Sequence, residues 1–152
     1  MAHDDDIAHQ TLVEHGLLRH ITEALRLTAG RRAEGHDLSR PLSTLTFITQ
    51  CFERHLERLM ALEEHDGYMD VVLRTEPRLA KAVDALREEH GQFRGAVGRL
   101  TRRLAGVSAA DPGSFDTACA ELLVLLDRVD RHSDQESRLV HEALGRDGGG
   151  EG

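Results

Sequence analysis

Residues 79–104 read LAKAVDALREEHGQFRGAVGRLTRRL, and in them Leu79, Val83, Leu86, His90, Phe93, Val97, Leu100 and Leu104 recur at alternating four- and three-residue intervals. That period puts all eight on one face of an α-helix, the seam with which a bundle helix meets its neighbours. Seven are apolar and one is a histidine. Gly91, Gly95 and Gly98 lie in the same stretch, and each costs about 1 kcal/mol of helix stability relative to Ala, which suggests close packing there.

The same pattern is found on both sides of this segment. A stripe of Leu122, Leu125 or Leu126, Val129, His132, Glu136, Leu139 and Ala143 marks a last helix that Gly113 or Ser114 can cap and that reaches about Leu144. Leu45, Ile48, Phe52, Leu56, Leu59 and Glu63 mark a second helix, begun near Pro41, which suits a first turn, and broken by Gly67. Leu12, His15, Leu18, Ile21 and Leu25 mark a first helix from about Ile7 to Thr28, with Asp4, Asp5 and Asp6 suited to its cap and first turn. A short helical piece, Tyr68 to Leu73, leads to Pro77, where the third helix is expected to start. No stretch reads as a strand. Short connections make neighbouring helices antiparallel, so the expected fold is all-α, an up-down-up-down four-helix bundle. It fills residues 1–146 as one domain, and the glycine-rich 147–152 reads as a flexible tail.

Composition narrows the function. A net charge of -8, with Lys81 as the only lysine, excludes nucleic acid as the main partner, because that affinity comes from cations neutralising phosphates. No apolar run approaches the ~20 residues of a membrane span, and the acidic start is unlike a secretory signal. Cys51 and Cys119 form neither a metal pair nor a disulfide framework, which fits a reducing cytoplasm. They read instead as small buried hydrophobes. No phosphate loop, His-Glu-x-x-His zinc motif or serine elbow is present. The unusual feature is ten histidines without a tryptophan.

Five polar residues interrupt the apolar stripes: His15, Glu63, His90, His132 and Glu136. A carboxylate buried without a partner costs several kcal/mol, so these groups must meet one another, a cation or water. His132 and Glu136 are one turn apart on one face, a spacing from which both can reach one metal. Counting residues from the expected turns, at ~1.5 Å per residue, puts all five within a turn or two of one level in an antiparallel bundle. An internal repeat adds weight. Glu14-His15-Gly16 recurs as Glu89-His90-Gly91, and Glu63 recurs as Glu136; in this register His132 is matched by Leu59.

The pattern resembles the duplicated His…His-x-x-x-Glu arrangement of hemerythrin-like HHE domains, from about Leu12 to Asp147. Residues 61–68 and 142–147 are similar to bacterial members. The resemblance implies a non-haem di-iron centre in mid-bundle, with His15, His90 and His132 as terminal ligands and Glu63 and Glu136 as bridging carboxylates. Leu59 departs from it, standing where a histidine is expected. His55, one turn earlier, is the candidate replacement. Leu86 and Arg94 give His90 no second histidine one turn away, which argues against reversible oxygen carriage and leaves an asymmetric, mononuclear or labile iron site open. Tyr68, the only phenol, reads first as packing at the turn. Glu64 and His65 read as a solvated helix end, and His3, His9, His20, His36 and His141 as surface residues. The expected function is iron binding with dioxygen, nitric oxide or peroxide as the small ligand, for sensing, scavenging or modest oxidoreductase activity. The alternative is a bundle without cofactor serving as an interaction or regulatory module.

Overall fold

A computed structural model of the chain describes residues 2–30 and 37–145. Five α-helices follow in order: α1 (Ala2–Gly30), α2 (Ser39–Glu64), α3 (Tyr68–Thr75), α4 (Ala80–Ala105) and α5 (Pro112–Leu144), with a 3-10 turn at Pro77–Leu79 before α4. Among the described residues there is no strand. The four long helices form a bundle in which α1 lies beside α2 and α5, and α4 beside the same two. Cross-helix bonds give the directions. Thr101 bonds Glu53 while Arg94 bonds Glu57 and Glu64, and Arg26 pairs with Asp127 and Asp130 while His15 faces Glu136. In both pairs of helices one residue number falls as its partner's rises, so the helices are antiparallel, as expected for an up-down-up-down bundle. The expected tail, 147–152, lies outside the described residues.

The boundaries differ from the sequence reading in three places. α1 begins at Ala2, so Asp4, Asp5 and Asp6 lie inside its first turns and do not precede it. Pro77 opens the 3-10 turn, and α4 proper starts at Ala80. The cap of α5 is Asp111, whose Oδ1 accepts the Ser114 backbone N–H at 3.1 Å, with Pro112 in the first turn; neither Gly113 nor Ser114 takes that role.

The turn between α2 and α3 sets the depth of the bundle's polar layer. Asp66 takes a left-handed conformation at φ 56, and its N–H bonds Asp70 Oδ2 at 2.9 Å. Gly67 follows with its Cα pressed against the end of α2. A Cβ there would collide with the carbonyl oxygens of Leu62 and Glu63, so only glycine permits the chain to fold back directly after Glu63.

Apolar burial falls into two clusters. The larger is built on Leu18, Leu25, Phe52, Phe93, Leu122 and Leu126 with their neighbours; the smaller joins Met69, Val72, Val83, Leu86, Leu139 and Ala143. On α4 the boundary between them is His90, and on α5 it is the stretch from His132 to Glu136. The bundle therefore encloses a polar layer between two oily ones. The stripes of α2, α4 and α5 face inward as their spacing requires, with Ile48 half-buried. α1 keeps most of its expected stripe, with Leu18 and Leu25 buried and Ile21 packed on the core, but Leu12 is 71% exposed and Glu14, off the stripe, is 6% exposed. The glycines of α4 do not mark close packing, since a Cβ at Gly91 meets nothing within 4 Å and those at Gly95 and Gly98 meet only the ends of Arg99 and Arg102.

Candidate metal centre

Each of the four long helices sends side chains into the polar layer. His90 from α4, His132 and Glu136 from α5, and Glu63 from α2 are all buried, and one donor atom from each lies within 4.8 Å of the others. The His90 and His132 Nε2 atoms are 2.9 Å apart, and Glu63 Oε2 is 3.3 Å from His90 Nε2. Glu136 Oε1 contacts His132 Nε2 and lies 3.7 Å from His90 Nε2. His15 approaches from α1 on the opposite side. Its Nε2 is 3.0 Å from Glu63 Oε1 and 3.9 Å from Glu136 Oε2.

The two carboxylates are thus divided oxygen by oxygen. Glu63 Oε2 and Glu136 Oε1 face the His90–His132 pair, whereas Glu63 Oε1 and Glu136 Oε2 face His15. The outer two oxygens are buried and, though His15 is in ion-pair range, accept no hydrogen bond. Buried polar atoms without partners are rare in native proteins and mark a place for an ion or water. Two carboxylates within reach of the same imidazole nitrogens, with lone pairs to spare, form an anionic pocket that a divalent cation fits.

Electrostatics agree. Burial disfavours a charged His90, yet Glu136, Glu63 and Glu64 outweigh it and push the imidazole pKa up to about 10. Burial would raise Glu136, but His132 and His90 hold it well below the usual carboxylate range. His15 is raised because Glu63 and Glu136 outweigh its partial burial. With no cation, protons on imidazole supply the positive charge that the carboxylates demand.

A family profile described as Hemerythrin HHE cation binding domain matches residues 6–144. The chain belongs to the hemerythrin HHE family. Among curated proteins and among solved structures, nothing matches it. In this HHE bundle the residues found through the sequence, His15, Glu63, His90, His132 and Glu136, meet in one layer. His55 is not brought among them. Its Nδ1 points to Glu14 Oε2 at 3.6 Å, and Leu59 is buried in the larger apolar cluster.

The HHE site also has supports that spacing alone did not reveal. Glu64 Oε1 lies 2.7 Å from His90 Nδ1, and both Glu64 oxygens are gripped by Arg94, at 3.1 and 3.0 Å. Arg94 keeps Glu64 ionised despite burial, lowering its pKa, so that Glu64 accepts from Nδ1–H and leaves His90 Nε2 free as a donor to metal. Glu64 is therefore no solvated helix end. The available signal was Arg94 itself, one turn from His90 on the antiparallel neighbour of α2. On α5, His132 has Glu89 Oε2 at 3.7 Å from Nδ1 and the edge of Phe93 against its ring, centroids 5.1 Å apart at 85°. His9, His20, His65 and His141 are exposed, as expected of surface residues, while His3 and His36 lie outside the residues whose side chains are described.

Tyr68 belongs to this layer as well. Its hydroxyl is shut off from solvent and makes no hydrogen bond of good geometry, with the Glu136 carboxylate as the acceptor in reach. Burial first, then the charges of Glu136 and Glu63, push the phenol pKa far above its ordinary value.

Proposed function

We propose that this protein is a non-haem iron protein with two unequal metal positions. His90, His132, Glu63 and Glu136 hold the first, and His15 shares the same two carboxylates in the second. The observation that carries this reading is the division of oxygens: each carboxylate turns one oxygen to the His90–His132 pair and the other to His15. Imidazole and carboxylate donors without thiolate suit iron over thiophilic metals. Bound there, iron with an open position supplies affinity for dioxygen, nitric oxide or peroxide, and we assign the chain a role in sensing or scavenging such a ligand, or modest redox activity on it. Leu59 removes one nitrogen donor from the second position and weakens it relative to the first.

A second reading, a bundle without metal that serves as an interaction module, is favoured by the same Leu59. One experiment separates the two. Protein from iron-replete cells should carry iron by elemental analysis and lose thermal stability when stripped by chelator. Binding to the native state at about 1,000 times Kd adds about 4 kcal/mol, or roughly 8–16 °C of midpoint at this size. A folded protein with no iron, and the same midpoint with and without chelator, would overturn the iron reading. Zinc or manganese in place of iron would correct the metal and leave the site.

A further inference from the structure

Three oxygens in the polar layer are buried and lack a hydrogen bond of good geometry, Glu63 Oε1, Glu136 Oε2 and Tyr68 Oη, although His15 is in reach of Glu63 and Tyr68 of Glu136. The first two are the pair turned to His15. The third belongs to the first residue of α3, which the Asp66–Gly67 turn swings back immediately after Glu63, and the charged groups that act most on its hydroxyl are Glu136 and then Glu63. Three of the buried side-chain atoms without a good partner among the described residues are thus oxygens of this layer. The side chain in the fold's expected nitrogen position, Leu59, has no donor atom, and the nearest spare histidine, His55, is turned to Glu14. We propose that Tyr68 is the missing donor: its phenolate oxygen completes the second metal position beside His15, Glu63 and Glu136.

This assignment rests on the two-position reading above and adds to it the identity of a ligand. Coordination breaks the phenol O–H bond, forms an oxygen–metal bond and sends the proton to bulk water; no electron moves and no further reactant is needed. A phenolate is a hard, anionic oxygen donor and favours the ferric state more than the imidazole it replaces. The second position is in this way biased toward the oxidised metal, while the first, with two imidazoles, is not.

Tyr68 is the only tyrosine in the chain, and there is no tryptophan, so any phenolate signal has a single source. The test loads wild-type, Tyr68→Phe and His15→Ala chains with ferric salt, then measures iron per chain, visible absorption and resonance Raman scattering excited within that absorption. The wild type should show a visible phenolate-to-iron charge-transfer band with enhanced tyrosinate ring modes. Tyr68→Phe should lose band and modes together with the more weakly held iron, yet keep its helical circular dichroism and the iron of the first position. His15→Ala should lose the band too, since it dismantles the same position. An iron-loaded wild type without tyrosinate modes overturns the assignment while the iron reading stands, and the Raman result needs no variant to fold. A band that survives in His15→Ala overturns the placement in the second position. A wild type that takes up no iron fails the two-position reading, and this inference with it.

Discussion

Glu14 Oε2 lies 3.6 Å from His55 Nδ1, and the repeat counterpart of Glu14, Glu89, lies 3.7 Å from His132 Nδ1. Both halves of the duplicated sequence thus keep a carboxylate next to a histidine on the neighbouring helix. In the second half that histidine joins the cluster; in the first it sits one turn away, and position 59 holds leucine. The buried Glu14, its charge met among the described residues by His55 and Arg58 at 3.6 Å each, is placed as Glu89 is in the second half, but beside a histidine that stands outside the cluster.

Leu59→His should therefore restore a ligand into an existing frame. Leu59 is 3% exposed, so without metal the polar ring should cost about 2 kcal/mol of stability. With iron present, affinity at the second position should rise about tenfold or more, equivalent to roughly 1.4 kcal/mol. Titration with metal, followed by iron per chain, reads this directly. A variant that is merely less stable, with no gain in metal, would show that the frame around position 59 is not a vestigial ligand site.

Glu64→Gln tests the support of His90. The amide keeps an acceptor oxygen but loses the charge that fixes Nδ1–H and pairs with Arg94. Loss of such an outer partner typically lowers metal affinity about 10–100-fold. That range is expected here, with helical content unchanged. Unaltered affinity would reduce the Glu64–His90 contact to packing.

The metal-free protein should be most stable near neutral or mildly acidic pH and weaken in base. His90 has a folded pKa of about 10 against an ordinary 6.5, so its contribution is complete below about 6.5 and is lost as pH rises through about 10. Glu136 is shifted the other way, so its contribution holds above the ordinary carboxylate value and is lost only in strong acid. Melting curves in chelator should show a midpoint that falls steadily from about pH 7 to pH 10. With metal bound, the cation takes the place of the His90 proton, and that decline should be much smaller. A flat profile for the stripped protein would mean that the layer does not store its charge on His90.

Helix order and the inward faces of α2, α4 and α5 were legible in the sequence because each carries a regular apolar stripe, and a stripe is a property of one helix. The five residues that break those stripes were legible for the same reason. What the stripes could not reveal lay between helices. Glu14 is buried because α2 supplies His55 and Arg58 to meet a carboxylate, while Leu12 is exposed although Leu18 and Leu25 face the core as their spacing suggests. Glu64 and Arg94 find each other only once α2 and α4 lie antiparallel. Tyr68 is drawn into the layer by the Asp66–Gly67 turn, whose conformation the Gly alone does not disclose. By contrast, Asp111-Pro112 is a readable start signal, stronger than the Gly113-Ser114 pair that follows it.

The glycines of α4 give a prediction of opposite sign from the one their number suggests. Three glycines in a seam helix imply backbone contact with a neighbour, in which case any side chain would clash. Yet Gly91 has helical backbone, is exposed, and offers open space to a Cβ. Alanine there should relieve the entropic cost of glycine without displacing anything, adding about 0.5–1 kcal/mol. For a chain of this size that raises the thermal midpoint by about 1–4 °C. The effect should appear equally in stripped and metal-loaded protein, because Gly91 is exposed and a methyl group there meets nothing beyond its own chain neighbours within 4 Å. A Gly91→Ala variant that loses stability, or loses metal while stable, would show that α4 needs flexibility next to its ligand histidine.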